Sequence, residues 1–227
     1  MYYYLDDDSL VFPHPAQVKD SGILAIGGKL YVSSLKIAYA FGVFPWYNHR
    51  SEPVIWWCPQ PRYVIFPSKV RVTKSMRSYF NQGKFSVTYN QCFDQVLDFC
   101  KKITRKGEPG TWINNDIIQS YTELYNEGLA QSVEVWEGDK LVGGLYGVVL
   151  GKIFFGESMF SLKPNASKFG FITLARKLEE EGFYCIDCQI YNTHLESLGG
   201  EFISGENFLA LLRTNRKNLI LDPSFTF

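Results

Sequence analysis

Three strand-patterned runs in immediate succession, Ser132–Trp136, Leu141–Leu150 and Lys152–Phe160, constrain this chain more than any other feature. Between them stand only Glu137-Gly138-Asp139-Lys140 and the Leu150-Gly151 step, turn sequences that leave room for antiparallel hairpins and nothing longer. A helix is expected next, from an Asn165 cap to a Gly182 stop, followed by a strand from Tyr184 to Ile190. A helix between two strands of one sheet favours a parallel crossover. A meander joined to a strand–helix–strand unit makes an α+β domain with a mixed sheet and flanking helices.

Upstream of the meander, Tyr63–Phe66 reads as a strand and Val72–Phe80 as a helix with Lys74 and Arg77 outward. Gln91–Arg105 is amphipathic, with Phe93, Val96, Leu97, Cys100 and Ile103 on one stripe. Asn114–Asn126 is a second such helix, with Ile117, Tyr121, Leu124 and Tyr125 inward and Gly128 ending it. Before Pro61 the pattern is different, rich in Pro, Trp and Gly. Its one credible helix runs from a Ser33/Ser34 cap through Leu35 to Gly42. A boundary near Pro61 therefore separates a small N-terminal α/β domain, 1–62, from a larger domain, 63–227.

Lys plus Arg balance Asp plus Glu at 23 each, so any nucleic-acid contact must come from a local patch. The start of the chain lacks the basic and apolar runs of a signal peptide, and no stretch approaches a membrane span. Five cysteines, an odd number, argue against a disulfide framework and fit a reducing cytoplasm. Cys185 and Cys188 fall on opposite faces of a strand and read as small buried hydrophobes.

Two of these strands carry polar residues where a core strand should have none: Glu157 and Ser158 in one, Asp187 and Gln189 in the other. Desolvation makes a buried carboxylate expensive unless it is paired or used. With a side-chain period of two, Asp187 and Gln189 are expected on one face. A carboxylate, an amide and a second carboxylate together can orient an amine and move its proton. Read from the residues alone, Glu157 fits either that role or an ion pair at a strand end. Asp187 and Gln189 fit either the site or a buried pair supporting a loop.

The sheet plan resembles the N-acetyltransferase superfamily, whose members splay two central strands to admit an acyl donor. The coenzyme A signature of that superfamily is missing; Lys163-Pro-Asn-Ala-Ser-Lys168 stands in its place. A closer resemblance lies in Leu24-Ala-Ile-Gly-Gly28, Gly42-Val-Phe-Pro-Trp46, Trp56-Trp57-x-Pro-x-Pro-Arg62 and Glu134-Val-Trp136. It continues through Leu141-Val-Gly-Gly-Leu-Tyr-Gly147, Phe155-Gly-Glu-Ser-Met-Phe-Ser161, Asn165-Ala-Ser-Lys168 and Ile186-Asp-Cys-Gln189. In this order, from about Phe12 to about Leu211, these segments resemble the leucyl/phenylalanyl-tRNA–protein transferase family.

That resemblance implies transfer of leucine or phenylalanine, with methionine a further candidate, from its tRNA to proteins that begin with Arg or Lys. The products are marked for N-terminal degradation in the cytoplasm. The donor ester is already activated, so no ATP, metal or cofactor is implied. A monomer is expected. By resemblance, Asp187 polarises Gln189, which accepts a hydrogen bond from the attacking amine, and Glu157 holds the acceptor terminus. The donor side-chain pocket is carried over to Leu145, Phe154, Gly156, Met159, Phe171, Leu174 and Ile186, although Phe171 and Leu174 fit plain core equally well. Leu145 and Phe171 depart from the residues usual in relatives. Trp46 and Trp112 match tryptophans near the terminal adenosine, with a domain-anchoring role as the alternative. Arg71, Lys74, Arg77 and Lys84 form the candidate tRNA patch. Lys101, Lys102, Arg105 and Lys106 form a second run that helix-end electrostatics explain equally. Ser204-Gly205 replaces a basic pair common in relatives. The competing readings are another aminoacyl-tRNA-dependent transferase, a non-catalytic binding module, and an acetyltransferase.

Overall fold

The two tight turns close as the sequence predicts, and the meander they create organises the computed structural model, which describes residues 2–9, 11–19, 21–47, 53–103 and 112–219. Before the meander come β1 (Tyr3–Leu5), β2 (Ile23–Gly27), α1 (Val32–Ala40), β3 (Phe44–Pro45) and β4 (Ile55–Trp57). They are followed by β5 (Arg62–Ile65), α2 (Lys74–Asn81), β6 (Ser86–Tyr89), α3 (Phe93–Lys102) and α4 (Asn115–Asn126). The meander is β7 (Ala130–Glu137), β8 (Lys140–Leu150) and β9 (Ile153–Ser161). The chain continues with α5 (Ala166–Glu180), β10 (Cys185–Asp187), α6 (Thr193–Ser197), β11 (Glu201–Ile203) and α7 (Gly205–Leu219).

Among the described residues, four strands form a small sheet in the order β1-β2-β4-β3 and seven form a mixed sheet in the order β11-β5-β10-β9-β8-β7-β6. The crossover through α5 is parallel, β9 with β10, as expected. Alternation along β8 sends Tyr146 and Val148 to one face and Leu145 and Val149 to the other. The first face is covered by α1, α3, α4, α7 and Trp56 of the small sheet. The second is covered by α2 and α5, with Phe80 stacked on Phe169 at 4.1 Å.

Several local expectations need correction. Strand β6 had no counterpart in the sequence reading; it is short, lies at the sheet edge and is not fully buried, so its apolar pattern is weak. Helix α1 starts at Val32, and Ser34 is buried within it rather than capping it. Asn165 occupies the N-cap position at φ 67° without a side-chain cap bond; the Ser167 N–H instead donates to Ser161 Oγ at 3.2 Å. Strand β5 of the large sheet runs from Arg62 to Ile65, one residue earlier at each end than the expected Tyr63–Phe66.

Two irregularities create the site. Tyr146 pairs with Ser158 and Gly147 with Gly156, so Glu157 is the extra residue of a β-bulge. Strand β10 is much shorter than expected: it pairs with β9 only from Cys185 to Asp187, and the chain then turns away through Gln189 at φ 60°. Beyond Phe155, strand β9 continues to Ser161 paired with β8 but not with β10, which leaves a gap between the two central parallel strands. A Cβ on Gly147, opposite the bulge, would lie 2.3 Å from the Phe155 carbonyl and 2.6 Å from the Phe154 ring. Gly147→Ala is therefore expected to destabilise the fold by about 1–3 kcal/mol in urea unfolding and to lower activity further by displacing Glu157.

Candidate active site

The gap opens into a cavity of about 430 Å³ that reaches both faces of the sheet. On one face its walls include Phe44, Trp46, Trp112, Tyr146 and Phe160; on the other they include Leu145, Phe154, Met159, Phe171 and Ile186. Glu157, Gly156 and Gln189 stand between the two sets. The order of these walls follows from the bulge, which reverses the alternation of β9. Phe155 lies on the first face before it, whereas Phe160 lies there after it.

Glu157 is half-buried on the cavity wall. Its Oε1 accepts from the Tyr39 hydroxyl at 2.7 Å and its Oε2 from the Tyr121 hydroxyl at 3.1 Å. The two tyrosine hydroxyls also bond to each other. Burial pushes the Glu157 carboxyl up to about 8, although both hydroxyls favour the charged form. Burial also raises both tyrosines well above their ordinary value.

Asp187 does not line the cavity. Arg62 Nε and Nη2 donate to its two oxygens at 2.8 and 2.7 Å, and both side chains are fully buried. The guanidinium carbon lies 5.0 Å from the centre of the Phe44 ring and 4.7 Å from that of Phe208. Asp187 Oδ1 also accepts the backbone N–H of Gln189 at 3.0 Å. The expectation that Asp187 and Gln189 share a strand face fails, because positive φ at Gln189 ends the alternation. Asp187 reaches Gln189 through its backbone, not its amide. The Gln189 Nε2 donates to the Gly156 carbonyl at 2.7 Å and weakly to Glu157 at 3.5 Å. Its Oε1 is left with no hydrogen-bond partner among the described residues.

Of the carried-over pocket residues, Leu145, Phe154, Gly156, Met159, Phe171 and Ile186 line the cavity. Leu174 is the exception. It is fully buried one turn after Phe171 and packs in the core between α5 and the sheet. Trp46 and Trp112 both reach the cavity, with Trp46 also tilted against Trp57 at 5.5 Å. Arg71, Lys74, Arg77 and Lys84 are exposed on and around α2, outside the cavity. Lys101 bonds to Asn115 and Lys102 pairs with Asp98; Arg105 and Lys106 lie outside the described residues.

Sequence reasoning missed Arg62, Tyr39 and Tyr121 as site residues. For Arg62 a signal existed: a cation opening an apolar strand after two prolines needs a buried partner. The tyrosines gave none, since on amphipathic helices they read as core. His194 is a further cavity residue without a motif, and burial and the nearby Lys168 lower its affinity for a proton.

A family model described as leucyl/phenylalanyl-tRNA protein transferase matches residues 64–213, and one for the N-terminal domain of that family matches residues 28–60. The chain is 49% identical over 214 residues to a leucyl/phenylalanyl-tRNA–protein transferase of Flavobacterium johnsoniae, covering 94% of this chain and 100% of that protein. It is 52% identical over 203 residues to one from Christiangramia forsetii, covering 88% and 95% respectively. Sequence carries the comparison, because a structural likeness of the kind that follows is distant. A solved structure, the C-terminal domain of a putative lysylphosphatidylglycerol synthetase from Agrobacterium fabrum, has a TM-score of 0.39 at 14% identity, over 83% of this chain and 63% of that one.

Removing one partner of the Arg62–Asp187 pair strands a buried charge. Arg62→Ala is expected to cost about 3–5 kcal/mol in urea unfolding, and an apolar replacement of both residues considerably less.

Proposed function

The chain belongs to the leucyl/phenylalanyl-tRNA–protein transferase family, and from that premise we propose that it moves leucine or phenylalanine from aminoacyl-tRNA to the α-amine of proteins that begin with Arg or Lys. We read residues 1–62 as a small domain and 63–227 as the catalytic one, working as a monomer in the cytoplasm without metal or cofactor. In this reading the added residue marks its acceptors for N-terminal degradation.

The observation that carries the reading is the position of Glu157 and Gln189 at the junction of two cavity arms. One arm is aromatic and presents Trp46 and Trp112, which suit the terminal adenine; such stacking is worth about 1–3 kcal/mol per base. The other is apolar, walled by Leu145, Phe154, Met159, Phe171 and Ile186, and suits a leucine or phenylalanine side chain. An ester bound across both arms sets its carbonyl carbon at the junction. The acceptor amine then meets the Glu157 carboxyl and the Gln189 Oε1, which orient it towards that carbon. A carboxylate there also favours a cationic first residue. Asp187 acts from behind: it fixes the turn that holds Gln189 and does not touch substrate. The α2 cations would contact the acceptor stem by charge, so binding weakens as salt rises.

Radiolabelled Leu-tRNA is expected to label peptides with free N-terminal Arg or Lys and to leave peptides beginning with Ala or acetyl-Arg unlabelled. Label on no peptide, with tRNA still bound, would favour a binding module instead. Lys74→Glu with Arg77→Glu should lower kcat/KM for Leu-tRNA about tenfold or more and leave leucyl-adenosine, which lacks the stem, nearly unaffected. Equal losses with both donors would remove α2 from the tRNA interface.

A further inference from the structure

We propose that Glu157 is the base that takes the proton from the incoming α-ammonium group, with Tyr39 and Tyr121 setting its hold on that proton. The inference rests on the transferase reading above and assigns one step within it.

Three side chains at the junction of the central strands are the candidates from the sequence, Asp187, Gln189 and Glu157; geometry removes the first and chemistry the second. Both oxygens of Asp187 are engaged by Arg62, one of them also by the Gln189 N–H, and the side chain is sealed from the cavity. Gln189 is an amide, which does not take up a proton near neutral pH. Glu157 faces the cavity, and each of its oxygens carries one tyrosine bond, leaving lone pairs free for an ammonium proton.

The surroundings of Glu157 are built to accommodate a proton. Oε1, the Tyr39 hydroxyl, the Tyr121 hydroxyl and Oε2 close a ring of three contacts. The protonated carboxyl and two hydroxyls supply one proton for every contact. The ionised carboxylate leaves one contact without a proton. The other groups that act on Glu157 are Asp187, which holds the proton on it, and Arg62, which drives the proton off. Tyr146 of β8 packs edge-on against Tyr121 at 5.7 Å and stiffens the ring. The resulting value of about 8 matches that of a peptide α-amine, itself about 8. Transfer between two groups of matched affinity is close to thermoneutral, where general-base catalysis is most effective.

The acceptor arrives as an ammonium group and gives one proton to the Glu157 carboxylate. The neutral amine attacks the ester carbonyl, and a C–N bond forms. The bond from carbon to the 3′ oxygen then breaks as a nitrogen proton passes to that oxygen. Glu157 returns its proton to water after the products leave.

The test is the pH profile of kcat/KM with an Arg-initiated peptide, from pH 6 to 9.5, with spontaneous ester hydrolysis subtracted. Wild type should give a bell centred near pH 8, one limb from Glu157 and the other from the acceptor. Glu157→Gln keeps the shape and should lose the descending limb, rising only with the acceptor's own ionisation. Its deficit should be about 100-fold below pH 7 and should narrow by pH 9. Tyr121→Phe, which leaves the base in place, should displace the ascending limb. A Glu157→Gln profile that keeps the bell at reduced height, or a limb unmoved in Tyr121→Phe, would overturn the assignment. If wild type transfers to no peptide at any pH, the failure belongs to the transferase reading itself.

Discussion

One buried ion pair holds the parts of this molecule in register. Arg62 and Asp187 join β5 to β10 with two parallel charge-assisted bonds at full burial. Desolvating two ions costs several kcal/mol each, and an apolar pair would fill the space more cheaply. What the ions add is direction. Phe44 from the small sheet and Phe208 from α7 close over the guanidinium, so three separate regions meet on one cation. The spare capacity of Asp187 takes the Gln189 N–H, which pins the turn that carries the chain away from β9. Without that turn β10 would continue along β9 and the cavity would close.

Glu157 is the counterpart in the open part of the site. The bulge at Gly156–Ser158 releases it from strand alternation and aims it at two tyrosines that come from different helices, α1 and α4. Its raised proton affinity bears on stability. A carboxyl shifted from 4.5 to about 8 stabilises the fold while protonated, and that contribution is lost as pH rises through the same interval. The protein thus tolerates a weakening near neutral pH at the position where an amine must be received. The strained backbone at Gln189 is a second such cost at the same site.

Much of the architecture was legible because it depends on local pattern. The turns at Glu137–Lys140 and Leu150–Gly151 set the meander, and the stretch between Asn165 and Gly182 set the crossover helix. Polar residues inside strands singled out Glu157, Asp187 and Gln189. Their division of labour was not legible, because it depends on two irregularities with no clear signature. A bulge moved Glu157 to one face, and a left-handed residue cut β10 to a few residues. Arg62 carried a signal of its own, but not the identity of its partner: Asp187 lies far along the chain, and only the fold brings them together. Leu174 shows the opposite limit. Helical spacing puts it on the face of Phe171, yet one turn further along α5 it is sealed in the core and does not reach the cavity.

The most direct test of this account is the ionisation of Glu157 in the free enzyme, followed by carbon NMR of protein labelled at the glutamate carboxyls. The account predicts one resonance with a midpoint of about 8, absent from Glu157→Gln. If every glutamate instead titrates near the ordinary value of about 4.3, Glu157 is an ordinary carboxylate and the account of the site is wrong.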